Sequence, residues 1–419
     1  MSPPGARPPR GLAGRARLAR VLAVAAAGAS ATALTAAPAV AGPPALSARS
    51  AVLIDASTGQ TLYGLRPGAE LAIASTTKLM TALITLEHTK PAQVFADPEF
   101  SLSSVDSQIG LSPGERMTVH DLLIALLLPS ADDAAEDLAY NVGHGSVTRF
   151  IAMMNRRARS LGLTHTHYST PIGLDTSDNY STAADLVRLA RYLLSHHPFF
   201  RHVVALPSAV LHSGAQTRTV INRNDLVGRI RWVDGVKTGH TLDAGYVLVG
   251  AGTRGGMTLI SAVLGTASES ERDSDTLALL GYGFQNFREL TPVRTGQVLA
   301  TLPVRGWPHR SVKLIATATF ARVFARSEPV HTVVVAPRRL AGPQPAHRLV
   351  GQVLIQVRGR TLGRVRLALA TPVPAPPPSV SWRPFTLMAI VLLLAASIAA
   401  IALRRQRSPT GRATEKRAA

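Results

Sequence analysis

The sequence predicts an α/β domain of the α+β kind, an antiparallel sheet flanked by helices, followed by a small all-β domain and one C-terminal transmembrane helix. Three observations predict it. Helical patterns crowd the middle of the chain between strand patterns near residues 51–63 and 246–264, which is not the regular alternation of a parallel sheet. From about Leu290 the pattern changes to short alternating segments broken by proline and glycine, as in β-domains. Residues 385–403 form an uncharged run of 19 residues, which as a helix spans about 28 Å, the thickness of a hydrocarbon core.

The first 41 residues combine an arginine-rich start, an alanine-rich apolar stretch over 21–37 and the small-x-small site Ala39-Val40-Ala41. That is the pattern of a cleaved secretory signal peptide. Residues 51–55 and 61–63, separated by Ser57-Thr58-Gly59-Gln60, read as two short strands joined by a turn. The stretch from Ser75, STTKLMTALITLEH, is apolar around most of its circumference (Leu79, Met80, Leu83, Ile84, Leu86), which predicts a central buried helix. Further helices are expected over 119–128, 131–140, 147–161 and 182–194, and strands over 246–250 and 258–264.

The β-domain segments include 311–314, 331–335 and 364–369. The strings Gly296-Gln297-Val298-Leu299 and Gly351-Gln352-Val353-Leu354 are alike but too short to establish a repeat. The proline-rich stretch 371–384 cannot support ladders or helix and predicts a stiff extended tether. Trp382 edges the apolar run, and Arg404, Arg405 and Arg407 follow it, so the positive-inside rule puts the tail in the cytoplasm and the domains outside. The expected organisation is therefore signal peptide 1–41, a first domain 42–289, a β-domain 290–370, the tether 371–384, a membrane helix 385–403 and a basic tail 404–419.

Composition excludes several functions. The formal net charge is +20, but five arginines precede Ala41 and six basic residues follow Leu403, leaving +10 on the body. Charge that flanks apolar segments orients a membrane protein and is not a nucleic-acid footprint. With no cysteine, disulfides, iron-sulfur clusters, thiol catalysis and thiolate zinc sites are excluded. Only five of the 45 basic residues are lysines, so each lysine merits attention.

Ser75-Thr76-Thr77-Lys78 places a hydroxyl and an amine three residues apart at a helix start, about one turn apart on one face. The amine can then take the hydroxyl's proton, which an arginine could not do. Lys237-Thr238-Gly239 follows a strand pattern, and its glycine lets another backbone approach closely. Between them, Ser130-Ala131-Asp132 follows Pro129 at a helix end, where Ser130 taken alone would read as an N-cap.

In this order, Ser-x-x-Lys, a Ser-Asp-Asn element and Lys-Thr-Gly form the signature set of penicillin-binding proteins and class A β-lactamases. Longer strings add to it, including 126–130 (LLLPS), 222–226 (NRNDL), 233–241 (VDGVKTGHT) and 171–174 (PIGL). Over about residues 51–370 the chain resembles the low-molecular-mass penicillin-binding proteins, serine-type D-alanyl-D-alanine carboxypeptidases of the β-lactamase/transpeptidase-like superfamily. The resemblance implies removal of the terminal D-alanine from peptidoglycan stem peptides through an acyl-enzyme, acylation by β-lactams, and residence at a bacterial cell membrane through one helix. It implies no cofactor or metal.

Carried over by position, it implies Ser75 as nucleophile, Lys78 as its base, and Ser130 with Lys237 returning the proton to the departing D-alanine. Thr238 would contact the substrate carboxylate, with Arg272 nearby. The backbone N–H groups of Ser75 and His240 would form the oxyanion hole, and the peptide would lie along the Lys237-Thr238-Gly239 strand as an added strand.

The sequence departs from the family at Asp132, where asparagine is usual. An ionised aspartate accepts but cannot donate, and near Lys78 it would raise that lysine's pKa. Asp132 is then protonated in the site, or pairs with Lys78 and slows acylation, or marks a different substrate. A membrane-tethered wall-binding or scaffolding protein, its turnover lost through Asp132, is the alternative. A class A β-lactamase would need a Glu-x-x-Leu-Asn string, and a zinc carboxypeptidase a His-Glu-x-x-His; neither string occurs.

Overall fold

The computed structural model describes residues 42–98, 107–377 and 383–406. The signal-peptide segment, Trp382, Arg407 and the remainder of the tail lie outside the described residues, as does part of the tether.

Strands β1 (Ser50–Asp55) and β2 (Thr61–Leu65) form the expected hairpin. Short antiparallel ribbons pair β3 (Leu71–Ala72) with β6 (Tyr180–Ser181), β4 (Val94–Ala96) with β5 (Arg116–Thr118), and β7 (Ser208–Leu211) with β8 (Arg218–Ile221). The main sheet is completed by β9 (Val233–Thr241), β10 (Gly245–Arg254) and β11 (Met257–Thr266) in the order β2-β1-β11-β10-β9, every pairing antiparallel. Val247, Val249, Ala262 and Leu264 are buried in the core shared with the helices, while Leu259 and Val263 are buried in a separate cluster. β9 is an edge strand, so one side of it stays open to solvent or substrate.

Helices α1 (Lys78–His88), α2 (Val119–Leu127), α3 (Asp132–Val142), α4 (Val147–Ser160), α5 (Ala183–His196) and α6 (Pro198–Val204) lie between the two halves of the sheet in sequence. α1 is the central one: Lys78 to Thr85 are all buried, and it packs against α2, α3, α4 and α5. Thr118, Ser146 and Thr182 cap α2, α4 and α5, each side chain accepting a backbone N–H one turn on. The short turn α7 (Leu226–Arg229) precedes β9.

One long element escapes the periodicity reading. α8 (Glu269–Asn286) runs 18 residues and covers β10 and β11. Its start is rich in Asp, Glu and Ser, and Gly281 and Gly283 interrupt the pattern. The available signal was the cap: Ser268 accepts from the Glu271 amide, and the Glu271 carboxylate accepts from the Ala267 amide, a near variant of the capping box.

The second domain has its own core around Val293, Leu314, Val353, Ile355 and Leu367. β12 (Phe287–Val293) pairs with β15 (Phe320–Ala325), and β13 (Val298–Pro303), β14 (Ser311–Ala316), β16 (Val330–Val335), β17 (Leu349–Val357) and β18 (Arg360–Leu369) form a sheet ordered β13-β14-β18-β17-β16. Gly296-Gln297 precedes β13 whereas Gly351-Gln352 lies within β17, so the two similar strings occupy unlike places. α9 (Arg383–Gln406) is long and apolar enough over Pro384–Gln406 to cross a membrane, with mean hydropathy 2.7.

Candidate active site

The Ser-x-x-Lys residues sit where a 3-10 turn over Ala74–Thr77 leads into α1, so Ser75 stands on the turn and Lys78 opens the helix. Lys78 is fully buried. Its Nζ donates to the Ser75 Oγ at 2.9 Å, to Asp132 Oδ1 at 2.5 Å and to the Ile172 carbonyl at 3.0 Å. Burial holds its pKa below the ordinary lysine value, opposed by the charge and hydrogen bond of Asp132; Arg223 adds to the lowering. Of the three outcomes open for Asp132, the geometry is that of pairing with Lys78.

Asp132 is committed on both oxygens, since Oδ2 accepts the Ser107 amide at 3.0 Å and its own amide donates to the Ser107 carbonyl. The next residue, Asp133, accepts from the amides of Ile109, Gly110 and Leu111. Arg218 closes the same loop from outside, donating to the Ile109 and Gly110 carbonyls at 3.0 Å and pairing with Glu115 at 2.8 Å. Those Arg218 hydrogen bonds are the main reason the Glu115 carboxyl is held down at about 2.

Ser130 is not the N-cap of α3. That position belongs to Ala131, which makes no side-chain cap bond. Ser130 has a φ of +66°, its side chain is buried, and its Oγ has no hydrogen-bond partner. A buried, unpaired hydroxyl on a residue held in the left-handed region is a costly arrangement of the kind that collects at functional sites.

Lys237 and Thr238 are buried on the edge strand β9, and His240 is exposed with its ring 4.1 Å from that of Tyr246. Lys237 Nζ donates to the Thr238 carbonyl at 3.0 Å. Burial pushes its pKa well below the ordinary value, and the charges of Lys78 and Arg223 push the same way. Gly239 is where the edge strand meets the nucleophile: a Cβ there would lie 2.9 Å from the Ser75 amide nitrogen and 3.0 Å from the Ala74 Cβ. Close backbone approach is the reason for glycine at this position. Gly173 plays the same part on the other side, where a Cβ would collide with the Ala74 carbonyl.

Arg272 is buried and already paired, with Asp273 Oδ1 at 2.8 Å and Glu269 Oε1 at 2.8 Å, and its charge reaches Lys237. Two residues without a role in the sequence reading belong to the site. Arg223 is exposed, makes no side-chain hydrogen bond among the described residues, and its charge lowers the pKa of both lysines. Glu136, one turn along α3 from Asp132, is pushed up to about 7 by burial and by the Asp132 charge. Arg223 was within the quoted string 222–226; Glu136 was visible only as the i, i+4 neighbour of Asp132. Among the described residues no cluster of His, Asp and Glu could hold a metal ion.

Comparison with known proteins adds the following. Residues 37–268 match the family profile described as D-alanyl-D-alanine carboxypeptidase. The D-alanyl-D-alanine carboxypeptidase DacF of Bacillus subtilis is 28% identical over 77% of this chain and 84% of its own, and DacD of Salmonella typhimurium is 30% identical over 77% and 85%. The crystal structure of penicillin binding protein 5 from Haemophilus influenzae is similar with a TM-score of 0.65 and 26% identity, covering 79% of this chain and 99% of that one.

Proposed function

The chain belongs to the D-alanyl-D-alanine carboxypeptidase family, and from that premise we propose how its own residues perform the reaction and where it does so. It is a serine-type peptidase acting in peptidoglycan metabolism; the wall-binding or scaffolding alternative is not favoured. Its substrates are peptidoglycan stem peptides, and β-lactams acylate it.

In the proposed mechanism the peptide lies along the open edge of β9. Ser75 Oγ attacks the carbonyl carbon of the scissile D-alanyl-D-alanine bond as Lys78 Nζ takes its proton. The amides of Ser75 and His240 receive the oxyanion. The C–N bond then breaks, with the proton returned to the leaving amine by Ser130 together with Lys237, and water hydrolyses the ester on Ser75. The observation that supports this reading best is the 2.9 Å contact between the buried Lys78 Nζ and Ser75 Oγ, since a lysine kept from water is one that can be neutral. Thr238 and Arg272 are assigned to the substrate carboxylate, Arg272 only by exchanging one of its two carboxylate partners.

The domain limits 42–289 and 290–370 are those given by the sequence pattern. The membrane assignment is that α9 anchors the catalytic domain outside the cell with the basic tail in the cytoplasm, supported by its length and hydropathy and by Arg404 and Arg405 at its end.

The test is intact-mass analysis of the detergent-solubilised full chain after incubation with benzylpenicillin, beside Ser75→Ala, followed by assay of D-alanine release from a pentapeptide. An adduct on wild type alone, with D-alanine released, is the expected result. A folded wild type without an adduct would remove Ser75 from the mechanism.

A further inference from the structure

β10 runs from Tyr246, beside His240, to Arg254 eight residues on, about 26 Å away at strand rise. At that far end, where the first domain meets β12, lies a cavity of about 830 Å³. It is lined by the buried residues Met257 and Phe284 and by the exposed residues Arg254, Arg288 and Arg326. Arg254 ends β10, Arg288 lies in β12, and Arg326 follows β15, so three separate elements meet there.

The three have few protein partners. Among the described residues neither the Arg254 nor the Arg288 side chain has a hydrogen-bond or carboxylate partner, and the Arg326 side chain donates only to the Phe284 carbonyl, at 3.3 Å. The lining holds one carboxylate, Glu289, which accepts from Ser57 Oγ at 3.3 Å. The lining therefore has three cations against one anion, in a space large enough for several heavy atoms. Guanidinium forks match phosphate oxygens in pairs, and three cations beside a single carboxylate are stabilised by a further anion between them.

We propose that this cavity is a binding site for a multiply charged phosphate ligand of the diphosphate class, held by Arg254, Arg288 and Arg326 and separate from the Ser75 cleft. The proposal does not depend on the peptidase reading, because none of its residues belongs to that site.

Titration calorimetry of the full chain in neutral detergent, at fixed ionic strength and with inorganic pyrophosphate as probe, tests it. Because the chain is basic throughout, the comparison is between R254A/R288A and R360A/R364A, the latter removing equal charge from β18 on the outer sheet. The expected result is one site per chain, weakened at least about tenfold in R254A/R288A and little changed in R360A/R364A. Retained acylation by benzylpenicillin would show that R254A/R288A is folded. Lack of pyrophosphate binding in wild type, or equal weakening in both double variants, would overturn the proposal.

Discussion

Lys78 Nζ stands 2.5 Å from Asp132 Oδ1 and 2.9 Å from Ser75 Oγ, so one amine lies between a carboxylate that holds its proton and an alcohol that must give one up. Burial favours the neutral amine and Asp132 opposes it. Asp132→Asn removes the opposition while keeping the shape, and acylation by benzylpenicillin should quicken by about tenfold for each pKa unit by which Asp132 holds Lys78 up. Stopped-flow acylation rates at neutral pH measure this; an unchanged or lower rate sinks the idea that the pair slows the step.

The same pair sets a pH dependence. The base must be neutral, so acylation should rise with pH and level off above the pKa of Lys78, which lies below 10.5. In Asp132→Asn the rise should move to lower pH, because the interaction favouring the ammonium is gone. A pH–rate profile of both proteins decides it, and a displacement toward higher pH would contradict the assignment.

Lys78→Arg keeps the charge and its partner Asp132 but cannot deprotonate. Acylation should fall by about 10²–10⁴-fold, the usual contribution of a general base, while the melting temperature falls far less than activity. A variant acylated at near wild-type rate would mean that another group takes the Ser75 proton.

Gly239→Ala places a methyl group 2.9 Å from the Ser75 amide, and the edge strand must move off the nucleophile or strain. Such overpacking costs about 1–3 kcal/mol, and the loss should fall more on acylation than on thermal stability. Parallel melting and acylation assays separate the two.

Arg218→Met breaks a buried pair with Glu115 and frees the Ile109 and Gly110 carbonyls. Losing one partner of such a pair costs about 3–5 kcal/mol. In wild type the sign of the pH effect follows from Glu115, whose folded pKa is lowered from 4.5 to about 2. Its stabilisation is complete above 4.5 and is lost as pH falls through about 2. Chemical denaturation between pH 2 and 6 should show this slope in wild type and a reduced one in the variant.

The antiparallel sheet, the central helix, the β-domain and the apolar span were legible because burial writes its period into the sequence. α8 was not, because polar residues crowd its start and glycines interrupt its buried side. In the site, the one-turn spacing of Ser75 and Lys78 and the close approach allowed by Gly239 were legible, and the structure sets Lys78 Nζ 2.9 Å from Ser75 Oγ and Gly239 against the Ser75 amide. What spacing could not convey is that Asp132 spends both oxygens on Lys78 and Ser107, that Arg272 has carboxylate partners already, or that Arg223 acts on both lysines. The Asp132 and Arg223 interactions join segments far apart in the chain, and the Arg272 pairs, though local, depend on which rotamers the fold selects.

The helix that carries Lys78 is enclosed by four others, with its first eight residues all sealed from solvent. Lys78 opens that helix and Ser75 stands on the turn just before it, so burial of the following turns holds the base in place beside the hydroxyl. Warming should therefore abolish penicillin reactivity only as the first domain itself unfolds, and not before.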